Sequence, residues 1–208
     1  MSALKNVSFK DREIENERLE LTDKSSLYFL GPRLTLKHCI LVLKASARSL
    51  ILRETRMIDC TIEIKQELKN HQQWVYTALN GCRFKGRLSG CDFGRWPGYG
   101  EWWEHGSIED CDFTEARLDG CRFMGCNPSS LRLPHWPCFT ILDPLRAAPT
   151  LRGIHWPGAS GALFLETLLK SPPPTAAVTF FAPSEAKRLE TTLDELRAVM
   201  ETLDCVIL

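Results

Sequence analysis

The sequence lacks net charge, paired cysteines and long apolar runs, and each absence removes a class of function. Its 208 residues carry 26 Lys plus Arg against 26 Asp plus Glu. That balance argues against direct nucleic-acid binding driven by counterion release, and against an all-acidic mimic of DNA. No stretch reaches the roughly 20 apolar residues that cross a bilayer, and Met1–Lys10 lacks the apolar core of a signal peptide. No membrane association is expected. Nine cysteines are present, an odd number, with no CxxC. They are expected to be reduced in a cytoplasmic, bacterial protein. Five histidines (His38, His71, His105, His135, His155) are scattered rather than paired at ligand spacing. There is no phosphate loop, no Rossmann glycine pattern and no HExxH. His-Trp-Pro occurs at His135–Pro137 and His155–Pro157 without a nucleophile elbow. No catalytic, cofactor or metal residue is assigned, no small-molecule substrate is evident, and the chain is read as a non-enzyme.

What is present is a count in fives. Gly106/Ile108, Cys111/Phe113, Ala116/Leu118 and Cys121/Phe123 each place a small residue two before a large apolar one, without a slip. Neither a strand nor a helix has that period. Upstream, Ile40/Val42, Ala45/Ala47, Leu50/Leu52, Thr55/Met57 and Cys60/Ile62 also fall five apart, as do Thr77/Leu79 and Cys82/Phe84. Gly86/Leu88 comes one residue early, and Cys91/Phe93 resumes the count. Fixed repeats of this kind stack, and stacked coils lie about 4.8 Å apart. Large side chains inside a narrow coil must then alternate with Cys, Ala, Gly or Thr. Cysteine serves as a small, soft apolar residue. This accounts for Cys60, Cys82, Cys91, Cys111, Cys121 and Cys126 without chemistry.

The stretches CDFTEARLDGCRF (Cys111–Phe123) and CRFKG…CDF (Cys82–Phe93) resemble the pentapeptide-repeat family, whose unit is roughly A(D/N)LxX. The resemblance implies a mainly β fold: a right-handed, four-sided parallel β-helix, degenerate and interrupted, with four units per turn. The inward residues would be Cys82, Phe84, Cys91, Phe93, Ile108, Cys111, Phe113, Ala116, Leu118, Cys121 and Phe123. The block from Ile40 to Ile62 lacks the Asp/Asn between paired residues, which leaves ordinary β-sheet open there. The expected division is a polar leader over 1–25 (or a short strand cap), the β-helix over 26–127, and an α/β capping module over 128–208. In that module the pattern predicts strands at Cys138–Leu142 and Ala176–Phe181, and a helix from about Gly161 to Lys170. One last helix is expected from an N-cap at Ser184, with a short closing strand over Val206–Leu208.

Function is expected at the interruptions. Arg95–Gly106 (RWPGYGEWWEHG) holds half of the six tryptophans. Trp96, Tyr99, Trp102 and Trp103 accompany Arg95, Glu101, Glu104 and His105, a composition typical of interface hot spots. Glu109, Asp110 and Asp112 are outward repeat positions that extend an acidic patch toward a basic partner. The alternative is a flap packed on the coil flank. The second interruption, Lys65–Tyr76, reads as a connection with Trp74 and Tyr76 folded under. The repeat block CDFTEARLDGCRFMGC followed by LPHWPCFTILDP resembles the pentapeptide-repeat immunity proteins that accompany bacterial nuclease toxins, particularly type VI secretion DNase effectors. This implies an antitoxin that binds a cognate nuclease domain in a heteromeric complex. Two alternatives stand beside it. One is a gyrase- or topoisomerase-binding protein of the same family, which the short repeat and balanced charge disfavour. The other is a generic interaction scaffold.

Overall fold

The count in fives becomes a stack of coils because of what sits at the corners. In the computed structural model, which describes residues 5–208, three strands make each early coil. They are β1 (Lys5–Phe9), β2 (Arg12–Glu15) and β3 (Arg18–Leu21), then β4 (Ser26–Leu30), β5 (Leu34–Lys37) and β6 (Ile40–Leu43), then β7 (Leu50–Leu52), β8 (Thr55–Ile58) and β9 (Thr61–Lys69). β10 (Thr77–Asn80), β11 (Arg83–Ser89) and β12 (Asp92–Gly94) follow, and then β13 (Ser107–Glu109), β14 (Asp112–Asp119) and β15 (Cys121–Met124). Like strands pair in parallel with the coils above and below, giving sheets β1-β4-β7, β2-β5-β8-β10-β13 and β3-β6-β9-β11-β14. The result is a β-solenoid of about four turns.

Leu36 pairs with Met57 and Met57 with Leu79, so a turn takes 21 or 22 residues. Four five-residue units would give a shorter one. The excess lies at corners built on left-handed backbone. Asn16, His38, Asp59, Gly81 and Asp110 stack with φ between 50° and 63° between the second and third sheets. Asn, Asp and Gly tolerate that region best. At Gly81 an added Cβ would lie 2.1 Å from Asp59 Oδ1, so a side chain there would have to displace the Asp59 carboxylate. After Asn16 the next residue, Glu17, is exposed, but after the four later corners it points inward and is a cysteine each time: Cys39, Cys60, Cys82 and Cys111.

The inward cysteines also satisfy backbone. The Cys39, Cys60 and Cys82 thiols donate to the carbonyls of Ile14, Leu36 and Met57 in the coil before, at 3.4–3.5 Å. A second ladder, Cys91 and Cys121, donates to Leu68 and Leu88. Large residues fill the axis: Phe84 stacks on Phe113 at 4.6 Å and Phe93 on Phe123 at 5.4 Å. Trp74, fully buried, extends this column by stacking on Phe93. All the repeat residues expected inside, from Cys82 to Phe123, are buried.

Four details differ from the sequence reading. The leader expected over 1–25 forms the first coil over Lys5–Leu21, because Ile14, Leu19 and Leu21 face the core at alternate positions; its residues 1–4 lie outside the described residues. The pair Ile40/Val42 is one residue out of step: Cys39 and Leu41 are the inward pair, as the register Leu41 opposite Ile62 requires. Cys126 is half-buried at the end of the solenoid rather than within a ladder. The early arrival of Gly86/Leu88 is a β-bulge, with the register against β9 shifting between Gly86 and Leu88.

The C-terminal module grows out of the solenoid wall. Its elements are β16 (Cys138–Leu142), α1 (Ala148–Arg152), α2 (Gly161–Leu169), β17 (Thr175–Phe181), α3 (Ala182–Leu189), α4 (Leu193–Met200) and β18 (Val206–Ile207). The fourth sheet runs β12-β15-β17-β16-β18, parallel at its solenoid end and antiparallel from β15 onward. The single last helix expected from Ser184 is two. Pro183 opens α3, Glu190 ends it in left-handed conformation (φ 60°), and Thr192 with Glu195 starts α4 by a reciprocal capping box.

Candidate partner-binding site

The insertion Arg95–Gly106 lengthens one turn: Leu79 pairs with Ile108, 29 residues on. Four aromatic rings leave the coil with it, and all four are half-buried against the flank. Trp96 stacks on Tyr99 at 4.4 Å, and Tyr99 on Tyr76 at 5.9 Å. The Tyr99 hydroxyl hydrogen-bonds Gln72 Oε1 at 2.5 Å, and burial pushes the phenol pKa up. Arg122 lies over Trp96 (5.4 Å), Arg53 over Trp102 (5.9 Å) and Arg95 over Trp103 (5.1 Å). Cation–π contacts of this kind contribute about 0.5–1 kcal/mol each at half-exposed sites. The loop is therefore pinned by a ladder of rings and guanidiniums.

Arg122 carries the anchor into the core. Its Nε and Nη2 fork onto Asp92 Oδ1 and Oδ2 at 2.6 and 2.8 Å, and Asp92 is fully buried. Such a bidentate pair fixes the guanidinium plane, and that plane supports Trp96.

Beside the loop a groove of about 730 Å³ crosses the outer face of the second sheet. Arg95, Glu104, His105 and Glu109 line it, together with Arg33, Glu54 and Arg56. Glu101 and Asp110 are exposed outside the groove. Asp112 is not a surface group. It is buried at 8 % exposure and held by Thr114, Arg132 (3.2 Å) and Arg83 (3.5 Å). Burial alone would raise its pKa, but the Thr114 hydrogen bonds and the two arginines outweigh this and hold it below the usual range. Its carboxylate is taken up by Thr114 and the two arginines, so it does not belong to the candidate surface. Asp119 is likewise occupied, by Arg188 at 2.9 Å.

Arg33, Glu54 and Arg56 carry no local signal in the sequence. They belong to coils two and three turns before β13, the strand that follows the loop, and only the 21- or 22-residue turn stacks them beneath it. Of the two His-Trp-Pro segments, the His135 ring hydrogen-bonds the Leu208 carbonyl and Trp156 donates to Leu151, so each packs structurally. Among the described residues no group of three His, Cys, Asp or Glu could hold a metal ion, and no helix is long and apolar enough to cross a membrane. Comparison with protein-family models, curated proteins and solved structures returns no match.

Proposed function

We propose that this chain is a pentapeptide-repeat immunity protein. In this reading it neutralises a cognate bacterial nuclease toxin, a type VI secretion DNase effector, by direct contact through the groove and the aromatic loop. The observation that carries the reading is the pinned loop beside a mixed-charge groove. A surface ordered before contact loses little conformational entropy on binding. Glu101, Glu104, Glu109 and Asp110 supply carboxylates for a basic nuclease face. Arg33, Arg56 and Arg95, interleaved with them, fix orientation and reject partners of the wrong pattern. The resemblance of the repeat block and the LPHWPCFTILDP segment to immunity proteins supports the nuclease as partner.

The test is capture from lysate of the source cell, with the protein as bait, against Glu104→Lys/Glu109→Lys and Trp102→Ala/Trp103→Ala. The expected result is one stoichiometric partner with nuclease activity, silenced by the wild type and bound at least about tenfold more weakly by both variants, as loss of interface hot spots predicts. Capture of gyrase in place of a nuclease would overturn the immunity reading. A captured nuclease bound equally by both variants would remove the groove and loop from the interface.

A further inference from the structure

A second cavity, of about 370 Å³, lies between α2, α3 and the fourth sheet. Its walls are mostly apolar, with Leu163, Phe164, Leu168, Val178, Phe180 and Leu189, and the hydroxyl residues Ser160, Thr167 and Ser171 line it as well. Leu163 is 63 % exposed at its rim, the most exposed large apolar side chain among the described residues. The volume falls within the range of small-molecule sites, which are mostly apolar with a few placed polar groups.

The placed polar group is Glu185, only 2 % exposed yet lining the cavity. Its Oε1 takes Arg188 Nη1. Oε2 takes no hydrogen bond among the described residues. Burial, with Asp119 nearby, pushes the carboxyl up to about 7, although Arg188 pulls it down. The neighbouring cations are already committed. Arg188 is shared between Glu185 and Asp119, and Arg122 is forked on Asp92. With Glu185 ionised, the Glu185–Arg188–Asp119 group carries one net negative charge. An anionic ligand would find no free guanidinium there, and a wholly apolar one would leave Oε2 unpaired, at a cost.

We propose that this cavity binds a small amphipathic cation: an apolar body of about one aromatic ring bearing a protonated amine. The ammonium donates to Glu185 Oε2, and the body lies against Leu163, Phe164, Val178 and Phe180. The site is separate from the groove and does not depend on the immunity reading.

The probe is phenethylamine, titrated into the full chain with binding followed by NMR chemical shifts and calorimetry. 2-Phenylethanol and 3-phenylpropionate serve as neutral and anionic counterparts of the same body. The amine is expected to saturate, with shifts centred on Leu163, Phe164, Phe180 and Glu185. The alcohol should bind at least about tenfold more weakly, the worth of a hydrogen bond to a charged group, and the acid should not bind. Amine affinity should fall as pH drops below about 7, where a proton competes for Glu185. Glu185→Gln should weaken the amine to the level of the alcohol without changing the alcohol. Leu163→Ser, at an exposed position that folding does not depend on, should weaken both. Equal binding of amine and alcohol, shifts confined to another surface, or no saturation by the amine would overturn the proposal.

Discussion

Two buried titratable groups make the stability of this protein respond to acid in opposite directions. His71 is 2 % exposed, and its Nε2 has no partner among the described residues. Burial lowers its pKa from 6.5 to about 4. The unfolded chain therefore protonates His71 below pH 6.5 while the folded chain resists until about pH 4. Stability falls across that window by about 3 kcal/mol, at 1.36 kcal/mol per pH unit. Glu185 behaves in reverse. Its pKa rises from 4.5 to about 7, so the folded chain binds its proton first. Stability rises by about 3 kcal/mol as pH falls from 7 to 4.5, and that gain is lost again as pH climbs through 7. The two slopes cancel between pH 6.5 and 4.5. Urea unfolding of wild type, Glu185→Gln and His71→Leu at pH 8, 6.5, 5.5 and 4.5 reads each slope by difference from wild type. Relative to wild type, Glu185→Gln should lose about 3 kcal/mol between pH 7 and 4.5, and His71→Leu should gain about as much between 6.5 and 4.5. A difference that stays constant with pH for either variant would refute the linkage for that group.

Three further outcomes are expected. Arg122→Met leaves Asp92 buried and unpaired and should cost about 3–5 kcal/mol in urea unfolding, with most of it regained in Arg122→Met/Asp92→Leu; equal stability of the two variants would deny the pair its role. Gly86→Ala should destabilise by at least about 2 kcal/mol, since φ is 106° and a Cβ would meet the Ile64 carbonyl oxygen at 2.2 Å; thermal melting checks it. A maleimide applied to the native protein should label Cys126 and Cys205 before any other cysteine, as peptide mass spectrometry would report. Those two are half-buried and the other seven are buried, so access sets the order, although burial, by pushing the Cys126 thiol up to about 11, slows its reaction.

The solenoid was legible because its period is enforced by space. Only small residues fit beside Phe84, Phe93, Phe113 and Phe123 in a narrow coil, so the chain writes that constraint at nearly every turn. Cys39 escaped because Ile40 and Val42 are apolar and offered a competing frame. The signal that places it is the corner: His38, like Asp59, is left-handed, and Cys39 precedes Cys60 by one full turn. The first coil escaped because its outward residues are charged and mask the alternation of Ile14, Leu19 and Leu21. The break between α3 and α4 is written in Thr192 and Glu195, three apart, but the continuous apolar stripe from Leu189 to Leu203 hides it. Of the candidate site, the loop was legible from composition. Its partners across the groove were not, because Arg33, Glu54 and Arg56 are brought to it by turn length and not by any local pattern.

Among the described residues the two edges of the stack differ in their physics. An uncovered coil presents a row of unpaired backbone groups that invites another chain. At one edge, among the described residues, β1, β2 and β3 carry Lys5, Arg12, Glu13, Glu15, Arg18 and Glu20 as exposed residues, charges that oppose pairing with a second sheet. At the other edge charge could not serve, because the aromatic column reaches its last ring, Phe123, fully buried. Exposing that ring would forfeit about 1.5–3 kcal/mol of apolar burial. The chain instead reverses: β17 pairs antiparallel with β15, and Leu131 and Leu133 join the solenoid core beside Ala177. Cys138 continues the thiol rungs from inside the module, donating to the Leu118 carbonyl at 3.7 Å. The cap thus belongs to the same hydrogen-bonded sheet as the strand that carries Arg122. A variant that loosens β17 should therefore slacken Trp96 and the loop before it unfolds the first coils.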